Sequence, residues 1–211
     1  MIKSQFANVV LVPVNFRVDI ASQLWLVRNK LVDETANGFF TPVAVQCADE
    51  SADLLILPNR IQITSKLPTV AEGLQEAASR MRRFIAAAGA ALNPIQAVGL
   101  NAQIVLQADD LRGLERGYFS QGALLRSLSP ERDLSFTASE DEASGKITTK
   151  VAYAKNLETG ELGVSIDINS HVDVTAIEQV EEALYKVEAF AELCMTRAQL
   201  VQEDITNTGG V

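Results

Sequence analysis

Four polar side chains recur at every second position in the last third of the chain: Asp167, Asn169, His171 and Asp173. In a strand, alternation sends such residues to one face. Two carboxylates, an amide and an imidazole on that face could ligate a metal ion or relay a proton. A metal-dependent, hydrolase-like enzyme is therefore one candidate function. His171 is the only histidine, so any Ser–His or Cys–His pair must use it, and sites needing two imidazoles are excluded. The run is not an EF-hand loop, whose sixth position must be glycine; Val172 stands there. The plainer alternative is a strand leaving its sheet with its solvated face outward, Ser170 and Asp173 acting as helix caps. The sequence holds no Gly-x-Ser-x-Gly elbow, no Gly-x-Gly-x-x-Gly, no P-loop glycine ahead of Gly145-Lys146 and no Cys-x-x-Cys pair. No catalytic residue and no cofactor is assigned, and the balance favours a non-enzyme.

Charge is the second source of chemistry. The chain has 211 residues, with 18 Lys+Arg against 27 Asp+Glu and a net charge of −9. That balance argues against a broad nucleic-acid or anionic-membrane surface, which gains affinity by neutralising phosphates. The charge is not uniform. Residues 1–59 hold 4 basic and 6 acidic side chains, residues 60–132 hold 9 and 6, and residues 133–211 hold 5 and 15. The middle block is arginine-rich: Arg60, Arg80, Arg82, Arg83, Arg112, Arg116, Arg126 and Arg132. Arginine forks suit protein interfaces and phosphates alike, so Arg80, Arg82 and Arg83 are candidate interaction residues. A nucleic-acid-associated protein using this block is a further alternative. Few aromatics interleave with the block to stack bases, only Phe84, Tyr118 and Phe119. An acidic helix of one copy meeting the arginine block of another would be complementary.

That acidic helix is the most regular element. Ile177, Val180, Leu184, Val187, Ala191, Cys194, Ala198 and Val201 recur at spacings of three and four, with Phe190, Leu193 and Leu200 widening the stripe. Thr175 and Glu178 form a capping box ahead of it, and one helix is expected to run to Glu203. At 1.5 Å per residue it is about 42 Å long. A ten-residue strand spans about 33 Å. The last two turns, with Leu200 and Val201, are thus expected to overhang the sheet and meet a partner or a second copy.

The remaining elements follow from alternation and turn chemistry. Asn8 to Val18 reads as a strand, and Pro13 places it at a sheet edge. Ile20, Leu24, Val27 and Leu31 share one face of a helix capped by Asp19 and stopped by Asn37-Gly38. Val43 to Cys47 is a short strand. Leu54–Leu57 and Arg60–Ile63 form a hairpin around Pro58-Asn59. Thr69 and Glu72 box the start of a helix that runs to Ala88 and stops at Gly89. Ile95 to Gln107 is a long strand, and 109–125 reads as short helices. Leu134 to Thr137 is a strand and Ala138 to Gly145 an acidic loop. Ile147–Ala154 and Leu162–Ile168 are strands joined by a turn at Glu158–Glu161. This order gives an antiparallel-rich α+β fold of about eight strands and three long helices. The expected organisation is one compact unit over 1–211, with two halves, 1–108 and 130–211, joined by a short helical connection.

Several of these pieces, in this order, resemble a sporadically distributed bacterial family of uncharacterised proteins. They are Val9 to Val18, Leu54-Leu55-Ile56-Leu57-Pro58-Asn59-Arg60, Val98-Gly99-Leu100-Asn101, Gly163-Val164-Ser165-Ile166-Asp167-Ile168 and the terminal helix with Phe190. The family pattern has Asp-Arg at the hairpin and an aromatic after the Gly-Leu pair; Asn59-Arg60 and Ala102 depart from it. The resemblance implies no activity, cofactor or site residue.

Two cysteines, Cys47 and Cys194, are too few for a disulfide framework, and both are expected to be buried apolar residues. Met1 to Phe6 lacks the pattern of a signal peptide. The longest weakly polar stretch, Phe84 to Leu92, falls short of the about 20 residues that span a membrane. The expected location is cytoplasmic. The expected function is that of a non-enzymatic interaction or assembly protein, a homo-oligomer or a subunit of a bacterial or phage-type complex. Its partner is itself or another protein, with no membrane.

Overall fold

The computed structural model describes residues 2–92, 94–107, 135–142, 145–155 and 162–206. In chain order the elements are β1 (Ile2–Pro13), α1 (Gln23–Arg28), β2 (Asn37–Phe40), β3 (Val45–Ala48), β4 (Ala52–Leu57), β5 (Arg60–Ser65), α2 (Val70–Ala88), β6 (Ile95–Gln107), β7 (Ser135–Glu142), β8 (Gly145–Lys155), β9 (Leu162–Asp173), α3 (Ile177–Tyr185) and α4 (Val187–Thr206). The strands among the described residues form one sheet in the order β2-β3-β4-β5-β1-β6-β9-β8-β7. Every pairing is antiparallel. The class is α+β, with nine strands among the described residues where about eight are expected.

One face of the sheet carries the core. Ala7, Val9 and Leu11 of β1 stand opposite Ala102, Leu100 and Val98 of β6, and these stand opposite Ile168, Ser170 and Val172 of β9. Ile61 and Ile63, Leu54 and Ile56, and Val45 and Cys47 continue the buried row toward the other end. Each such aliphatic side chain stabilises the fold by about 1.5–3 kcal/mol. α2 packs on β1 and β5 and against α4, which lies over β6 and β9. The segment after β1 folds over the same side, where the rings of Phe16 and Trp25 meet Phe84 at 5.4 and 5.7 Å.

α2 follows its sequence signals closely. Thr69 Oγ1 accepts from the Glu72 N–H at 3.2 Å and donates to its carboxylate at 2.7 Å. The helix ends at Gly89, whose φ of +51° is a conformation side chains disfavour. Gly145, at the start of β8, is required for another reason: a Cβ there would stand 2.1 Å from the His171 carbonyl oxygen.

Several expectations are corrected. β1 begins at Ile2, ends at Pro13 and lies in the middle of the sheet, not at an edge. Pro13 is tolerated because it is the last residue, beyond a register shift at Val12, and Val14 donates the next hydrogen bond, to the Pro94 carbonyl. The expected helix over residues 20–31 shrinks to α1, capped by Ser22, with Leu26 buried and Leu24 exposed. Asn37-Gly38 opens β2 instead of ending a helix. The acidic stretch 138–142 belongs to β7. The terminal helix breaks at Lys186, whose N–H turns to the Ala183 carbonyl before α4 restarts. Its first cap is Gln179, whose side-chain oxygen accepts from the Thr175 and Ala176 N–H groups. The short helices over 109–125, the turn at 158–161 and the connection between the two halves lie outside the described residues.

Candidate interaction surface

The described helices all lie on one face of the sheet, and no described element lies over the opposite face. In register, Thr64 of β5, Asn8 of β1, Asn101 of β6, Asn169 of β9, Thr148 of β8 and Ser139 of β7 form one row across six strands. The amides are chained. Asn169 Nδ2 donates to Asn101 Oδ1, and Asn101 Nδ2 donates to Asn8 Oδ1 at 2.7 Å. The Thr148 and Ser139 hydroxyls meet at 3.2 Å. In the neighbouring row Gln103 Nε2 donates to Asp167 Oδ1 at 2.6 Å, and Lys150 stands opposite Asp167 on β8. A shallow depression of about 300 Å³ has Asn8, Asn101 and Asn169 in its floor and Phe6, Arg60 and Lys150 on its rim.

The middle of this face is short-chained. Asn8, Val10, Ala97, Gly99 and Ser165 are buried, and no described helix lies over them. Longer charged side chains, Arg60, Lys146, Lys150, Asp141 and Asp173, stand around them. Held by one another, the three asparagines present donors and acceptors in fixed directions, the arrangement that binds at least cost in lost rotamer freedom.

The residues proposed for metal chemistry lie on this face as alternation predicts, but they do not converge. Asp167 accepts from Gln103, Asn169 belongs to the amide chain, and His171 Nε2 lies 3.1 Å from Asp173 Oδ1. At about 3.3 Å per residue, Asp167 and His171 are separated by about 13 Å along β9. Among the described residues no three His, Cys, Asp or Glu side chains come together as ligands. Ser170 points the other way, into the core, and neither it nor Asp173 caps α3.

The arginines are divided between layers. Arg80, proposed as an interaction residue, is buried and structural. It pairs with Asp49 at 2.7 Å and Glu76 at 2.6 Å, and donates to the Leu31 carbonyl and the Ser51 hydroxyl. Burial would raise the Asp49 carboxyl, but hydrogen bonds from Arg80, Ala52 and Ser51 outweigh it and hold the group down to about 2. Arg82 donates to the Leu184 carbonyl at 2.8 Å, lies 3.4 Å from Glu181 and stacks 4.8 Å from the Tyr185 ring centre. Arg83 donates to Ser79 on its own helix. Arg60 lies on the far side of the sheet, beside Gln62. The described part of the block is therefore not one basic face; Arg112, Arg116, Arg126 and Arg132 lie outside the described residues.

The two apolar candidates separate. Val201 is 4% exposed and packs into the core, whereas Leu200 is 55% exposed. The end of α4 thus stays on its own sheet, with Ile205 also against the core. Cys47 and Cys194 are buried and free, and burial pushes their thiols up to about 11 and about 12. Sequence reasoning missed the amide row, because Asn8, Asn101 and Asn169 come from three strands whose register no local pattern sets. Their outward positions on alternating strands were the available signal.

No family model matches the chain, and no curated protein matches it.

Proposed function

We propose that this chain is a non-enzymatic interaction protein that binds another protein through the sheet face that no described element covers, as a subunit of a larger assembly. The observation that carries this reading is the make-up of that face. Short, mutually hydrogen-bonded side chains lie at its centre and charged ones at its rim, so a partner's polar groups would meet donors and acceptors already held in place. The rim mixes Arg60, Lys146 and Lys150 with Asp141, Asp167 and Asp173. Such alternation favours a mixed-charge protein surface over a phosphate backbone, which selects for one sign.

The test is site-specific photo-crosslinking in cells that make the protein. A photoreactive residue at Gln103 or Thr148, on the sheet face, is expected to give a discrete crosslinked product whose partner peptide can be mapped. The same residue at Glu182 or Gln199, exposed on the helix layer, is expected to give none. Crosslinks confined to the helix positions, or none from the sheet face, would overturn the reading.

A further inference from the structure

We infer that the chain also binds a small apolar molecule carrying one hydrogen-bonding oxygen, in a cavity between its helices and its sheet. The cavity measures about 130 Å³ and lies on the helix side, away from the amide row. Its floor comes from one row of the sheet. In register that row runs Ile63, Val9, Leu100, Ser170 and Ile147, across β5, β1, β6, β9 and β8. Leu100, Ser170 and Ile147 line the cavity, and Ser170 is the one short side chain among aliphatic ones. Ala183 of α3 lines it from the helix layer. A serine below and a methyl group above leave space that neither layer fills. Protein interiors are close-packed, with few voids larger than a water molecule, so room for several heavy atoms at this point is a specific feature.

The walls select what fits. Phe190 and Leu193 of α4 complete an apolar lining with Leu100 and Ile147. An apolar cavity of about 150 Å³ holds one benzene ring, so this one takes a molecule of about seven heavy atoms. The polar requirement comes from Ser170. Its side chain is 8% exposed, and its hydroxyl makes no hydrogen bond among the described residues. A hydroxyl out of water and without a partner is unfavourable, and an oxygen on the ligand supplies that partner. One hydroxyl on the wall calls for one oxygen; further polar groups would be stranded among aliphatic side chains. Phenols and short-chain alcohols or ketones have this make-up. The outer end of the cavity lies at the helix break, where the Lys186 N–H turns to the Ala183 carbonyl and the exposed Lys186 and Glu142 line the wall.

Methyl NMR of the full chain, titrated with phenol and separately with benzene, tests this. Phenol is expected to give saturable shifts confined to the methyls around the cavity, those of Leu100, Ile147 and Leu193 foremost, with a Kd of about 1 mM. Ser170→Ala keeps the space and removes the hydroxyl, so it is expected to weaken phenol about tenfold relative to benzene. Ser170→Val fills the space and is expected to abolish both titrations. The alanine variant adds no bulk, so the test does not depend on the valine variant folding. Shifts that never saturate, or that spread over the surface, overturn the site, as does binding that survives Ser170→Val. A phenol-to-benzene ratio unchanged by Ser170→Ala overturns the role of the hydroxyl and the ligand chemistry with it. None of these results bears on the crosslinks from the opposite face, which test the partner reading separately.

Discussion

Asp49 accepts from Arg80, Ser51, Ala52 and the Asp33 N–H, and so ties α2, the β3–β4 turn and the loop after α1 to one carboxylate. A carboxylate with no solvent exposure is costly unless fully paired, and removing one partner of such a pair costs about 3–5 kcal/mol. Asp49→Asn is therefore expected to lower stability by about 3 kcal/mol at neutral pH, read from denaturant unfolding. The pH dependence has a definite sign. The folded carboxyl titrates at about 2, below its ordinary 3.8, so the unfolded chain binds the proton more readily. The contribution is complete above the ordinary value and disappears as pH falls through about 2. The gap between wild type and Asp49→Asn should narrow on acidification; a gap that stays constant down to pH 2 would show that the carboxylate's charge is not the cause. Arginine composition drew attention to Arg80 but assigned it the wrong role. A lone arginine in a helix reads as surface, and its buried partner comes from a strand turn some thirty positions away, at a sequence separation of 31.

At the scale of elements, legibility followed how local each determinant is. α2, the β4–β5 hairpin and β6 were readable because a cap, a turn and strict alternation all lie within the segments themselves. Thr69→Ala is expected to cost about 1 kcal/mol by leaving the Glu72 N–H unpaired, while Thr69→Ser keeps most of it; equal losses in thermal or denaturant unfolding would deny the cap its role. The break at Lys186 was not readable. Val180, Ala183, Leu184, Val187, Phe190 and Ala191 are all buried, so the apolar stripe passes through the break without a change of spacing. β7 was misread from Ala138 onward because its acids look solvated. They are solvated, but on an edge strand whose backbone still pairs with β8. Pro13 pointed to an edge because proline lacks an N–H, and the end of a central strand satisfies the same constraint. The alternation of Asp167, Asn169, His171 and Asp173 did predict their common face. It could not predict that β6 and β8 would supply each with separate partners, which is what disperses the expected metal site.

For the whole molecule, the two halves suggested by the sequence share one sheet. β6 pairs with β1 on one side and β9 on the other, and α2 packs against α4 above that junction. Hydrophobic burial is continuous across it. The chain is therefore expected to unfold in one cooperative step, with fluorescence from Trp25 and far-ultraviolet dichroism superimposing through the transition; two separated transitions would divide the halves. The central place of β1 bears also on how the protein is made. Its first strand pairs with the hairpin strand β5 early, but its other neighbour, β6, comes much later, Asn8 and Asn101 being 93 residues apart. At a synthesis rate of about 5–20 residues per second, the nascent chain leaves the ribosome with one side of that strand open for about 5–20 s. During that time Val9 and Leu11 lack half of their sheet, and the open side of β1 is exposed to any chaperone that shields unpaired strands.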